Sequence, residues 1–249
     1  MTFKDHFSRL AAGYSAFRPS YPAGLFEFLA RACRERRKAW DCACGTGQAT
    51  LALAEQFDAV IATDASPQQV AAVPAHARVT YRVARAEECG IESDSVDLVT
   101  VAQSLHWFDL DPFYDEVRRV LKPSGVLAVW TYGVLHVDGS GIDALFQEFY
   151  HDIVGPYWPP ERRLVENGYR GVAFPFAEFE APSFNMEVRW DRAQLLGYLR
   201  TWSATSRYVD AKGVDPVAAL EQRLEPMWTD VQSVRTVTWP LAMRVGRNG

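Results

Sequence analysis

The chain has 249 residues and 48% hydrophobic composition, enough for one sizeable core or a core with a small cap. Its net charge is -5, and the basic cluster Arg34–Lys38 is too short to cover a whole face; a small-molecule partner is therefore favoured over DNA or RNA, with a monomer or homodimer expected. No apolar run reaches the roughly 18 residues of a membrane span, and the N-terminus lacks the apolar segment of a signal peptide, so a cytoplasmic protein is expected. The four cysteines make no disulfide framework at this length, and Cys42 and Cys44 lack further ligands at zinc spacing. They are read as small core residues, and no metal is expected.

In chain order, residues 1–24 form an arm broken by Pro19 and Pro22. Helical spacing covers Leu25–Lys38, a first strand Ala39–Cys44 and a second helix Gln48–Phe57. A buried strand runs from Ala59 to Thr63 and ends at Asp64. Ser66-Pro67 then opens a helix. Strands follow at Val79–Val83 and Ser95–Ala102. Next comes a helix over Asp111–Leu121, with Asp111 as its N-cap, and a fifth strand over Val126–Thr131. Beyond Gly133 the rhythm changes. Ile142–Val154 is helical, Phe184–Trp190 alternates like an antiparallel strand, Asp191–Trp202 is a capped helix, and Val234–Val245 is a last strand bent at Pro240. Strands alternating with helices predict an α/β fold: a doubly wound, seven-stranded, mainly parallel sheet with an antiparallel last strand. One domain over 1–249 is expected, with a cofactor-binding half over 25–135 and a helical cap over 138–176. Residues 177–249 would supply the final strands and the substrate-side helices.

Ligands of such sheets bind at the carboxyl ends of the strands. After the first strand, Asp41 precedes a Gly-x-Gly turn at Gly45 and Gly47 that runs into a helix. A turn of this kind lets backbone approach a ligand closely. Thr50 stands where a dinucleotide fingerprint needs its third glycine, and no Gly-Lys-Ser/Thr of a phosphate loop follows. An acidic residue before the turn suits a ligand with an ammonium group or ribose hydroxyls better than a pyrophosphate. Asp64 ends the second strand, where a carboxylate can take both ribose hydroxyls; capping the next helix is the alternative role. Ala86-Glu87 follows the third strand. Gln103-Ser104-Leu105-His106-Trp107 follows the fourth.

The Asp-x-x-x-Gly-x-Gly run resembles motif I of the class I S-adenosylmethionine-dependent methyltransferases. The stretch after the fourth strand, with Val-Arg-Arg-Val-Leu-Lys-Pro-Ser-Gly downstream, resembles the small-molecule group (methyltransferase type 11) that includes ubiquinone/menaquinone biosynthesis enzymes and trans-aconitate methyltransferase. Tyr14-x-x-x-Arg18-Pro19-x-Tyr21-Pro22 resembles one subgroup of it. The resemblance covers roughly residues 10–135. It implies a Rossmann-like methyltransferase fold, with S-adenosylmethionine as cofactor and S-adenosylhomocysteine as product. Asp41 and the backbone of Cys42, Ala43, Cys44, Gly45 and Gly47 would hold the methionine end, with Gln48 at the helix start. Asp64 and Ala65 would hold the ribose, and Ala86 and Glu87 would frame the adenine. Gln103 and Ser104 would lie near the sulfonium, and Trp107 would offer it an aromatic face. Tyr14, Arg18 and Tyr21 would close over the cofactor. Small or Gly residues are expected at the Cys42 and Cys44 positions, so the cysteines are the departure from the pattern.

The implied reaction is in-line methyl transfer to an O-, N- or C-nucleophile or a carboxylate of a small molecule. His106 is the candidate base, and packing is its alternative role. Arg162, Arg163 and Arg207 are candidate partners for a carboxylate. Tyr157, Trp158, Trp202 and Tyr208 are candidate pocket walls. A cofactor-binding protein without turnover is the alternative function; a nicotinamide-dependent oxidoreductase is disfavoured by Thr50 and Asp41.

Overall fold

The computed structural model describes residues 19–249, so Tyr14 and Arg18 lie outside the described residues. It divides into two compact units. The first comprises Tyr21–Tyr132, Asn167–Phe184 and Leu241–Gly249; the second holds Gly133–Glu166 and Asn185–Pro240. Residues 167–176, expected in the cap, therefore group with the sheet, and most of the chain after 184 does not.

The first unit alternates strand and helix. Helix α1 (Ala23–Ala32) precedes β1 (Lys38–Cys42), α2 (Gln48–Ala54), β2 (Ala59–Asp64), α3 (Pro67–Ala71), β3 (Val79–Val83) and β4 (Val96–Ala102). A 3-10 turn at Leu105–Trp107 leads into α4 (Leu110–Val120) and β5 (Leu121–Tyr132). The strand order is β3-β2-β1-β4-β5, all parallel, and the Leu241–Arg247 stretch of β9 (Arg235–Arg247) pairs antiparallel with β5. The order reverses at β1, and that reversal is where such sheets open a crevice for ligands. β1 lies between β2 and β4, and Ala39, Trp40, Asp41 and Cys42 are all buried. A strand covered on both faces is apolar throughout, so the buried Asp41 stands out.

The doubly wound, mainly parallel sheet with an antiparallel last strand matches the sequence expectation. Nine strands among the described residues replace the expected seven. The additions are the short β6 (His136–Val137) and β7 (Ala177–Phe179), both paired with β9. Three residues or fewer carry too little alternation to be seen in a sequence. Helix α1 stops at Ala32, well before Lys38. α4 begins at Leu110 with Asp109 at the N-cap position, two residues before the expected cap. The last strand runs unbroken through Pro240 to Arg247.

In the second unit, α5 (Ser140–Glu148) ends in a π turn at Phe149–Ile153, followed by α6 (Arg162–Glu166). Strand β8 (Phe184–Trp190) also pairs β9. Asp191 and Gln194 form the reciprocal capping box that starts α7 (Arg192–Arg200). Helices α8 (Ser203–Lys212) and α9 (Pro216–Leu224) complete the unit. Its interior is aromatic: Tyr150, Trp158 and Trp202 stack at 5.3–5.6 Å, and Tyr198 joins Trp202 to Trp190 and Trp239. No described helix is long and apolar enough to cross a membrane.

Candidate functional site

The turn after β1 is shaped by left-handed backbone. Ala43, Gly45 and Gly47 have φ of 55°, 55° and 81°. At Gly47 a Cβ would lie 3.2 Å from Val73 and 3.4 Å from the Tyr81 hydroxyl, so the left-handed backbone favours glycine and the space is tight for any other residue. Ala43 is the one L-residue of the three and bears the conformational penalty. The departure that matters is thus at Ala43; Cys42 sits in regular strand and Cys44 is half-buried.

Two amides tie the turn to β2. The Cys44 N–H donates to Thr63 O at 2.9 Å, and the Gly45 N–H donates to Asp64 Oδ2 at 2.9 Å. Asp64 Oδ1 accepts from the Ser66 N–H at 2.9 Å. The Asp64 carboxylate is therefore held at both oxygens by backbone, and each oxygen keeps a second lone pair. Ser66, not Asp64, caps α3, accepting from the Gln69 N–H at 3.3 Å. Ala65 beside it is half-buried.

Asp41 has a different position from the one expected. It is 1% exposed, and its oxygens accept from Thr50 Oγ1 at 2.5 Å and Thr100 Oγ1 at 2.9 Å. Burial pushes its carboxyl up to about 6, against the pull of the two threonines. Asp41 binds β1 to α2 and β4 beneath the turn, and it does not project into the crevice. Thr50, read only as a missing glycine, is its anchor. Gln48 opens α2 directly after Gly47.

At the end of β3, Ala86 is buried and Glu87 half-buried. Burial alone would raise the Glu87 carboxyl. The Asp109 amide at 3.1 Å and Arg85 at 3.1 Å outweigh it and hold the group below the usual range. The Glu87 carboxylate is thereby occupied on its protein side.

At the end of β4, Gln103 adopts φ 61°. Its N–H donates to Trp130 O at 2.9 Å, and its Oε1 accepts from Thr131 Oγ1 at 3.0 Å. Its Nε2 is buried with no hydrogen-bond partner among the described residues, and so is the Tyr81 hydroxyl beside the glycine turn. A buried donor left unsatisfied costs about 1–3 kcal/mol, and a strained non-glycine backbone adds to it. Both costs fall at one strand end. Ser104 Oγ donates to Ala102 O at 3.1 Å.

His106 sits in the 3-10 turn, with its ring 4.6 Å from the half-exposed Trp107. Its Nδ1 lies 2.9 Å from the Tyr169 hydroxyl. Tyr169 falls in the 138–176 stretch expected as a cap; the Asn167-Gly168 dipeptide, a turn signal, is the sequence clue to its position. Arg162, Trp158 and Trp202 belong to the second unit, as do Tyr157, Arg207 and Tyr208. The Arg162 guanidinium lies 4.8 Å over Trp158, and its Nε donates to the Tyr150 hydroxyl at 2.7 Å. Arg163 is exposed.

The crevice thus gathers a backbone-held carboxylate, a glycine turn and an orphaned amide at the ends of three neighbouring parallel strands. Residues 40–129 match the family model described as a methyltransferase domain. A Dictyostelium discoideum protein named as a methyltransferase is 31% identical over 225 residues, spanning 89% of this chain and 86% of that one. A Saccharomyces cerevisiae protein named as an S-adenosylmethionine-dependent methyltransferase is 30% identical over 131 residues, 49% of this chain and 45% of that one. A solved structure of an Anaeromyxobacter dehalogenans protein, described as a type II methyltransferase, superimposes with a TM-score of 0.89 at 46% identity, covering 93% of this chain and 98% of that one. Fold, crevice and relatives define a methyltransferase. The chain belongs to the class I S-adenosylmethionine-dependent methyltransferases; it is an enzyme, and S-adenosylmethionine is its cofactor.

Proposed function

We propose that the crevice holds S-adenosylmethionine through Asp64, the 42–47 backbone and Gln103, and that the methyl acceptor is a small molecule. The observation that carries this reading is the Asp64 carboxylate held open by the Gly45 and Ser66 amides. Its two remaining lone-pair sites suit the two hydroxyls of a ribose. Ala65 flanks that ribose, and Ala86 and Glu87 frame the adenine. The open space around Gly45, where an added Cβ would meet nothing within 4 Å, leaves room for the methionine end. The orphaned Gln103 Nε2 has a donor for the same ligand. Gln48 and Ser104 line its edges, and Trp107 faces the sulfonium.

S-adenosylmethionine supplies a methyl group already activated by its sulfonium. The chain's own part is to align the acceptor, exclude water and take a proton where the acceptor carries one. His106 is the base for a hydroxyl or amine; a carboxylate acceptor needs none. The net charge of -5 and the lack of a basic face favour a free metabolite over nucleic acid. We place the enzyme in the cytoplasm, as monomer or homodimer.

The test is calorimetric titration with S-adenosylmethionine, with NAD as control, followed by an acceptor screen that reads S-adenosylhomocysteine. Micromolar binding of the first and none of the second is expected. His106→Ala should lower turnover and leave cofactor affinity within about twofold; full turnover in that variant removes the base role.

A further inference from the structure

We propose that Tyr81 is a positioning residue of the cofactor site: its hydroxyl props the glycine turn at Gly47 and so holds the backbone that meets S-adenosylmethionine. The inference rests on the cofactor placement proposed above. Its ground is a buried phenol oxygen that has no hydrogen-bond partner among the described residues and stands 3.4 Å from where a Gly47 Cβ would be.

The sheet register brings that oxygen to the turn. Tyr81 of β3 pairs with Ala62 of β2, and Ala62 pairs with Asp41 of β1. Residues in register on neighbouring strands share a face of the sheet. β2 lies between β3 and the turn that follows β1, so the Tyr81 side chain crosses β2 to reach Gly47. Ala62, small and fully buried, is the β2 residue in that row and leaves room for the ring. The turn itself has two sides. At Gly45 an added Cβ would meet nothing within 4 Å, which is the open side. At the buried Gly47 it would meet Val73 at 3.2 Å and the Tyr81 hydroxyl at 3.4 Å, which is the packed side. Backbone links the two. The Gly47 N–H donates to Cys44 O at 2.9 Å, and between them the Gly45 N–H donates to Asp64 Oδ2 at 2.9 Å. A shift at Gly47 therefore carries to the amide that holds Asp64.

Packing of the ring alone does not account for the oxygen. A phenylalanine ring would cross β2 as well, and a buried hydroxyl without a partner is a cost to folding. Burial pushes the Tyr81 phenol up, with Cys44 and Asp41 adding to the rise, so the group is neutral and acts by the space it fills. That one atom sits against a glycine in left-handed backbone. Removing it lets the turn settle, and binding must then restore the turn at a cost in affinity.

The experiment is Tyr81→Phe in the full chain, with urea unfolding of the ligand-free protein beside calorimetric titration with S-adenosylmethionine and with S-adenosylhomocysteine. The variant should unfold at the wild-type urea concentration or above it, because the lost hydroxyl made no hydrogen bond. Its affinity for both ligands should fall together, by about threefold to tenfold, since a less preorganised turn binds either one more weakly. Affinity within about twofold of the wild type overturns the proposal. So does a loss of affinity that comes with a loss of stability, which is a structural role. A loss confined to S-adenosylmethionine overturns it too, because both ligands share the turn. Asp64→Ala in the same titrations separates this proposal from the reading it rests on. Unchanged affinity in Asp64→Ala overturns the cofactor placement and Tyr81 with it, whereas a drop there beside an unchanged Tyr81→Phe overturns Tyr81 alone.

Discussion

The two ends of the parallel sheet handle their polar groups in opposite ways. At the amino end, Asp97 is 4% exposed and fully engaged. Its Oδ2 accepts from the Arg37 and Lys38 amides, both at 2.9 Å, and its Oδ1 pairs with Lys122 at 2.6 Å. Lys122 also reaches Glu35 at 3.0 Å. A surface hollow of about 470 Å³ lies here, lined by Arg34, Glu35, Asp97, Lys122 and the Pro123–Gly125 turn, but its Asp97 and Lys122 are already paired. At the carboxyl end, Gln103 Nε2 and the Tyr81 hydroxyl have no hydrogen-bond partner among the described residues, whereas left-handed backbone occurs at both ends, at Ala43 and Gln103 here and at Asp94 and Ser124 there. A closed polar cluster is an anchor, and an open one can take a ligand. That difference supports the proposal that the crevice, and not the hollow, is the site.

The contrast can be broken most severely at Asp97. Asp97→Ala leaves two amides without their acceptor and Lys122 with Glu35 alone, and should cost about 2–3 kcal/mol of stability, read by urea unfolding. Cofactor affinity of the folded protein should not change; a matching loss of affinity would place function at the amino end. Asp64→Ala should do the reverse. S-adenosylmethionine affinity should fall at least about tenfold, roughly 1.4 kcal/mol by calorimetry, with a smaller loss of stability. Unchanged affinity removes Asp64 from the site.

Asp41 tests the boundary between the two behaviours, since it is buried at the functional end. Its carboxyl is raised from 3.8 to about 6. Between those values the folded state binds the proton more readily than the unfolded chain, so this group's contribution makes stability fall as pH rises from about 4 to about 6. Asp41→Asn should flatten that slope in unfolding curves taken across the window. A slope identical to that of the wild type would show that Asp41 does not titrate there.

Gln103→Gly relieves the positive φ and the orphaned donor while losing the Thr131 contact. It should gain about 1 kcal/mol of stability and weaken S-adenosylmethionine binding. A stability loss would mean that Gln103 is an anchor like Asp97. The smallest effect is expected at Ala43→Gly, a gain of about 0.5 kcal/mol in thermal unfolding, because relief of left-handed strain exceeds the entropy glycine adds to the unfolded chain. No gain would place the strain elsewhere in the turn.

Local signals were legible in the sequence by itself. The strand expected over Val79–Val83 is β3 with the same limits, and the capped helix expected from Asp191 starts there as α7. The Gly-x-Gly turn and Asp64 at the end of the second strand mark the expected crevice, because ligands of such sheets meet strand ends wherever the strands lie. Tertiary structure alone decided which side chains those ends point at. Asp41 and Thr100 stand 59 positions apart, and His106 and Tyr169 stand 63 apart. Each pair meets only because parallel strands and their crossovers bring distant segments together. No local periodicity encodes that meeting, and so Asp41 read as a ligand proved to be buried support, while Tyr169 read as cap came to rest against the histidine.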